Sequence, residues 1–343
     1  MGTETGPSRW GAEVAGPLPD CPHVFLESTV IAQGLPWPEN LETVLAMEAA
    51  VRQAGAQPLT IAMFQGAVRM GLAASELEQI ARSALTSPNP EPTRGGTSAT
   101  AQLTPHCFSK ANRRDLAATI ARGNSAATTV SATLFLARRY GKNPCIMATG
   151  GLGGVHRAAA ETYDVSTDLD ELARADGCLV VCSGFKSILD LPGTLEALET
   201  RGIAIVGYRT SELPAFTTVS SGLPLEHRVD SPQEAADLVR AHRELRLPGA
   251  IVLTNPVPEA QALGRPLTEA VLEKAIEEAR KRNVTGKAVT PFLLEKIRQA
   301  TGGQSLRANC ALLVANARIA AEVAVELDQF EAGPAPSHKV SSE

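Results

Sequence analysis

Aromatic side chains are scarce in this chain. They make up 4% of its 343 residues, against 44% hydrophobic residues in all, so its core is packed mainly from aliphatic groups. Positive charge is not in excess either. The formal net charge is −5 and the basic residues are dispersed, which argues against a nucleic-acid platform. No stretch reaches the roughly eighteen apolar residues that would span a bilayer. Residues 1–22 carry Gly, Pro and acidic groups but no apolar h-region, and read as a flexible leader rather than a signal peptide. The six cysteines lie far apart except Cys178 and Cys182, with no zinc-type pairing, as expected of reduced thiols in the cytoplasm.

Three familiar ligand loops are also missing. The run Gly150-Gly151-Leu152-Gly153-Gly154-Val155-His156-Arg157 has His156 where a dinucleotide fingerprint needs its third Gly. It lacks the Gly-Lys-Ser/Thr of a Walker loop. The segment from Asp164 begins like a calcium loop, but Leu169 and Ala175 stand where Gly and Glu belong. What remains is a glycine-lined segment able to turn backbone N–H groups toward an anion.

Apolar runs at 24–26, 59–64, 145–148, 179–182, 203–208 and 250–254 read as strands. Helical patterns at 41–53, 75–83, 116–122, 191–201, 232–243, 268–282 and 305–327 alternate with them. This predicts an α/β fold, a layered α/β/α sheet in a single large domain covering residues 23–330. Ser75 with Glu78, and Ser231 with Glu234, fit capping boxes. Residues 86–104, rich in Pro, Gly, Ser and Thr, read as an exposed loop, and 331–343 as a disordered tail.

Lys186 follows the strand run Leu179 to Cys182. A lysine at the end of a core strand is costly to desolvate, and the relief is a lowered pKa. A neutral amine can then form a Schiff base with a sugar carbonyl. The alternative is a lysine that caps the strand or binds phosphate as a point charge.

From about Phe25 to Glu322 the chain resembles the pseudouridine-5′-phosphate glycosidase, or indigoidine-synthase-A-like, family. The resemblance is carried by Leu26-Glu27-Ser28-Thr29-Val30-Ile31-Ala32-Gln33-Gly34-Leu35-Pro36, by Lys110 with Arg113-Arg114-Asp115-Leu116, and by Ala127-Thr128-Thr129-Val130. It continues through the glycine run, Asp164-Val165-Ser166-Thr167-Asp168-Leu169, Lys186-Ser187-Ile188-Leu189-Asp190 and Thr254-Asn255-Pro256-Val257-Pro258. Its last parts are Gly286-Lys287-Ala288-Val289-Thr290-Pro291 and Ser305-Leu306-Arg307-Ala308-Asn309. Against the family, 86–104 looks like an insertion.

The resemblance implies reversible cleavage of the C-glycosidic bond between ribose 5-phosphate and uracil. It makes Lys186 the nucleophile, through an iminium at C1′, and Glu27 the proton donor. Lys110 would contact the 5′-phosphate, with Arg113 and Arg114 beside it either as further phosphate ligands or as partners of Asp115. Ser166, Thr167, Asp168 and the Val130 backbone would touch substrate, and Asp168 could also relay protons. Asp164 would hold a divalent cation, commonly Mn2+, in a homotrimer. Asn309 could read the imide edge of uracil, and His156 could orient the opened sugar or be purely structural.

Departures from the family pattern lie beside this machinery. Phe185 precedes the nucleophile where Ala is usual, so its ring is either an aglycone wall or core. Two further readings stand beside the glycosidase: a C-ribosyl synthase that joins ribose 5-phosphate to another aglycone in natural-product biosynthesis, and a non-catalytic sugar-phosphate-binding protein.

Overall fold

The computed structural model describes residues 13–14, 20–86, 107–141, 144–282, 284 and 289–331. Most of the leader, the loop from 87 to 104, the motif residues 286–288 and the tail from 332 lie outside the described residues.

In chain order the strands are β1 (Glu13–Val14), β2 (His23–Glu27), β3 (Gln57–Phe64), β4 (Ala67–Met70), β5 (Ser109–Ala111), β6 (Ala126–Thr128), β7 (Ile146–Ala148), β8 (Leu179–Cys182), β9 (Ala204–Tyr208), β10 (His227–Val229) and β11 (Ile251–Thr254). They form one sheet in the order β1-β4-β3-β2-β7-β8-β11-β9-β10, with β6 joining β3 and β5 joining β6. The stretch from β3 to β10 along this order is parallel; β4 and β6 run antiparallel to β3.

Both faces of the parallel strands are apolar, as a sheet covered on two sides requires. Val24, Leu26, Ile146, Ala148, Leu179, Val181, Ile251 and Leu253 face one core. Over them lie α1 (Glu39–Gln53), α8 (Pro232–Glu244) and α11 (Gln304–Glu331), through Met47, Val239, Leu312 and Ala320. Phe25, Met147, Val180 and Val252 face the other core. That side is covered by α4 (Val130–Tyr140), α6 (Thr167–Leu172), α7 (Leu191–Thr200) and α9 (Arg265–Lys281), through Leu134, Leu169, Leu198 and Leu272. The expected α/β/α layering is what forms.

The second expected capping box sits close to its place: Ser231 Oγ accepts from Glu234 N, while Glu234 accepts from Asp230 N. The first does not form. The helix there, α2 (Ala74–Thr86), begins before Ser75, and Glu76 accepts from Ala73 N. Glu78 lies one turn inside and pairs with Arg82 instead.

Register fixes the site. Leu26 pairs with Ala148, Ala148 with Val181, and Val181 with Leu253. The carboxyl ends of β2, β7, β8 and β11 therefore stand abreast at one edge of the sheet.

Candidate active site

That edge is where open parallel α/β sheets bind ligands. Glu27 closes β2 there and is only 8% exposed. Its Oε1 accepts a 2.5 Å hydrogen bond from Thr149 Oγ1, and its Oε2 accepts from Thr29 Oγ1. Burial pushes the Glu27 carboxyl above its ordinary pKa. The charge of Lys186 and the two threonine hydroxyls oppose that rise, and Asp168 adds to it. A carboxyl in this setting keeps its proton to higher pH than an exposed one, which favours a proton donor.

After β8 the chain turns at Gly184, whose φ is +75°. A Cβ there would lie 2.1 Å from the Pro214 carbonyl oxygen, so only glycine fits. Beyond the turn, neighbouring side chains part. Phe185 is fully buried in the core with Leu152 and Leu189, so its ring is packing and not an aglycone wall. Lys186 turns into a cleft lined also by Glu27, Thr29, Lys110, Phe216 and Asn309. It is half-buried, less enclosed than its place after an apolar strand implied.

The aromatic wall is Phe216. Its backbone holds the left-handed region at φ +61°, tied by its N–H to the Ser183 carbonyl at 2.9 Å. A bulky residue there is strained, and such strain concentrates at functional sites. The ring lies over Gly151, where a Cβ would come within 2.6 Å of Phe216 Cδ2 and 3.5 Å of Lys186 Cγ.

Lys110, on β5, reaches the cleft, but the arginines after it do not join it there as a phosphate cluster. Arg113 Nε lies 3.2 Å from Glu171, a buried carboxylate that also holds Arg138 at 3.2 Å. An anion so enclosed requires cations beside it. Arg114 faces Asp115 at 3.9 Å.

The glycine run serves close packing more than anion binding. The N–H of Leu152 goes to the Gly184 carbonyl, that of Val155 to Thr194 Oγ1, and that of Gly153 to Asp168 Oδ2 at 3.1 Å. A Cβ on Gly153 would sit 2.3 Å from Ser166 Oγ. Asp168 is buried, and its Oδ1 accepts from Ser131 N, in the first turn of α4, at 3.1 Å. Its carboxylate thus joins the glycine run to a helix N-terminus. Ser166 caps α6 by accepting from Asp168 N, and Thr167 Oγ1 lies 3.2 Å from Ser131 Oγ. Val130 opens α4 with its side chain in the core.

His156 is placed among the charges. Burial lowers its pKa; Asp164 opposes that, and Lys186 and Lys110 lower it further. Its Nε2 is 3.9 Å from Asp164 Oδ2, and its N–H donates to the Asp164 carbonyl at 3.1 Å. Asp164 is 38% exposed, and among the described residues no three His, Cys, Asp or Glu converge as a metal cage. One half-exposed carboxylate suits a cation that keeps most of its water.

The sequence reading passed over Thr29, Thr149, Phe216 and Asn316. Asn316 alone carried a signal: an amide in the buried stripe of α11, between Leu312 and Ala320.

A family model described as indigoidine synthase A like protein matches residues 19–91 and 96–326. The chain belongs to this family. It is 46% identical over 309 residues to a pseudouridine-5′-phosphate glycosidase of Caldanaerobacter subterraneus subsp. tengcongensis, covering 90% of this chain and 92% of that one. It is 44% identical over 303 residues to one from Hahella chejuensis, covering 88% and 92%. Among solved structures, an indigoidine synthase A-like protein of Thermotoga maritima superposes with a TM-score of 0.77 at 36% identity, covering 90% and 94%. The prealnumycin C-glycosynthase AlnA, in complex with ribulose 5-phosphate, superposes with a TM-score of 0.76 at 34% identity, covering 91% and 93%.

Proposed function

We propose that the protein is a pseudouridine-5′-phosphate glycosidase, catalysing pseudouridine 5′-phosphate + water ⇌ uracil + ribose 5-phosphate through Lys186. The observation that carries this reading is one cleft shared by a buried carboxyl of raised pKa, Glu27, and two lysines, Lys110 and Lys186. The relatives' names give it its substrate.

Direct departure of the base would leave a poorly stabilised ring carbanion, so the ribose is opened first. Glu27 gives its proton to O4′ as the C1′–O4′ bond breaks, and the Lys186 Nζ lone pair bonds to C1′. Glu27 takes back a proton from that nitrogen. The nitrogen lone pair then forms the C1′=N bond while the C1′–C5 electrons leave with the uracil carbon, which receives the proton from Glu27. Water hydrolyses the protonated imine to ribose 5-phosphate and the Lys186 ammonium. A proton passed from Lys186 to Glu27 restores the starting pair.

Lys110 pairs with the 5′-phosphate. His156, whose pKa burial lowers against the pull of Asp164, orients the opened sugar, and Asn309 reads the aglycone edge. Asp164 would hold a divalent cation, Mn2+ in our reading, through one carboxylate with water and substrate oxygens. Such an ion supplies positive charge against the substrate's anionic oxygens. The family resemblance supports a homotrimer, and the buried thiols of Cys145, Cys178 and Cys182 support a cytoplasmic protein. Among the described residues no helix is long and apolar enough to cross a membrane.

The likeness to AlnA favours a second reading, a synthase joining ribose 5-phosphate to a carbon nucleophile other than uracil. A non-catalytic sugar-phosphate binder has no use for an acid set beside a lysine. The test is incubation with ribose 5-phosphate, Mn2+ and a panel of aglycones, with mass detection of each C-riboside and borohydride trapping on Lys186. Uracil should be the preferred partner and the adduct should map to Lys186. Binding of ribose 5-phosphate with neither product nor adduct would refute the enzyme.

A further inference from the structure

One buried amide outside the cleft is bonded behind both Glu27 and Lys186. Asn316, in the middle of α11, is completely buried. Its Nδ2 donates to the Thr149 carbonyl at 2.8 Å and reaches Ser183 Oγ at 3.1 Å. Its Oδ1 accepts from Asn255 Nδ2 at 2.9 Å. These three partners follow β7, β8 and β11, so one amide is bonded to the carboxyl ends of three adjacent parallel strands. An amide has two donor hydrogens and two acceptor lone pairs on one rigid plane, which suits it to bridging several backbone ends at once. A buried network of this kind specifies one arrangement only when each member is satisfied.

Two arms leave this hub. Through Thr149 it reaches the acid, because the residue whose carbonyl Asn316 fixes is also the one whose Oγ1 donates to Glu27 Oε1 at 2.5 Å. Through Ser183 it reaches the nucleophile, which lies three residues further along the turn that Gly184 makes against Pro214. The same turn carries Phe216, whose N–H is bonded to the Ser183 carbonyl and whose ring lies against Gly151.

We infer that Asn316 is a positioning residue of the reaction, setting the Thr149 hydroxyl on Glu27 and the start of the Lys186 turn together without touching substrate. The inference rests on the roles assigned to Glu27 and Lys186.

The test uses Asn316→Leu, of similar volume, and Asn316→Asp, which keeps an acceptor for Asn255 but removes the amide donor. Thr149→Val and the double variant Asn316→Leu/Thr149→Val complete a cycle. Loss of an outer positioning partner lowers activity by about 10- to 100-fold in known second-layer cases. A drop of that order is expected in kcat, with little change in KM for pseudouridine 5′-phosphate because Lys110 is untouched. The acidic limb of the pH profile should move the same way in Asn316→Leu as in Thr149→Val. The double variant should be scarcely worse than the worse single one. If Asn316→Leu does not fold, Asn316→Asp carries the same kinetic test. Unchanged kcat and pH profile in a folded variant, or losses that multiply independently, would overturn the inference. Borohydride trapping of the parent on Lys186 is run alongside. A parent that forms no adduct refutes the proposed function, whereas a trapped parent beside an unaffected Asn316 variant refutes only this inference.

Discussion

Phe185→Ala separates adjacency in sequence from adjacency in space. The ring is wholly buried in the core that also contains Leu152, Ile188 and Leu189, so its removal leaves a cavity as well as losing transfer free energy. Fully buried Phe→Ala changes cost about 3–5 kcal/mol. At roughly 2.1 cal/mol/K per residue, unfolding of a 343-residue chain carries about 0.7 kcal/mol/K of entropy. The melting temperature should therefore fall by about 4–7 °C. Calorimetry reads that fall. Rates of C-ribosylation with uracil and with a bulkier carbon nucleophile, compared at a temperature where the variant remains folded, read specificity. Their ratio should stay within about twofold, since Phe216 and not Phe185 lines the cleft. Phe185→Leu should recover most of the lost stability, at a cost under about 1.5 kcal/mol. A melting temperature within about a degree of the parent, together with a changed ratio, would refute the packing assignment.

Thr149→Val removes a hydroxyl that stabilises the Glu27 carboxylate. The active pair of Glu27 and Lys186 shares one proton, and on the acid side activity ends when the pair takes a second; with the carboxylate less stabilised that happens at higher pH, so the acidic limb of kcat/KM should move to higher pH. Stability obeys the same sign. Glu27 has a folded pKa above its unfolded value of about 4.5, so the folded state binds more protons, and stability is lost as pH rises through that window. The melting-temperature deficit of Thr149→Val should thus be larger at neutral pH than near 4.5, and a deficit independent of pH would count against it. Lys110→Ala should raise KM for the phosphorylated substrate by an amount worth about 2–3 kcal/mol, measured against unphosphorylated pseudouridine, on which parent and variant should perform alike. Asp164→Asn should weaken Mn2+ binding in titration calorimetry and lower manganese-dependent activity in parallel; undiminished binding would place the ion elsewhere.

The layered sheet was legible because its buried parallel strands are continuous aliphatic runs. Each of the six predicted runs falls within a strand or overlaps most of one. The short strands β4, β5, β6 and β10 were not legible, since three or four residues are too few to establish a period. Helix α4 was missed for a related reason. Its buried first turn, Val130-Ser131-Ala132-Thr133, is small and β-branched and reads as strand or loop until Asp168 and the sheet bury it.

For the site, the sequence alone determined which residue types are present, and motif resemblance implied that Glu27, Lys110, Asp164 and Lys186 belong to one chemistry. It could not say which way a side chain points. At 185 and 186 the two outcomes, core and cleft, are decided by a glycine turn at φ +75° braced against Pro214. The division of Lys110 from Arg113 follows from a buried carboxylate, Glu171, about sixty residues away in sequence. Thr149, Phe216 and Asn316 enter the site only because parallel register sets the ends of β2, β7, β8 and β11 side by side. Residues brought together by pairing between distant strands share no local pattern, so only the folded sheet could gather them.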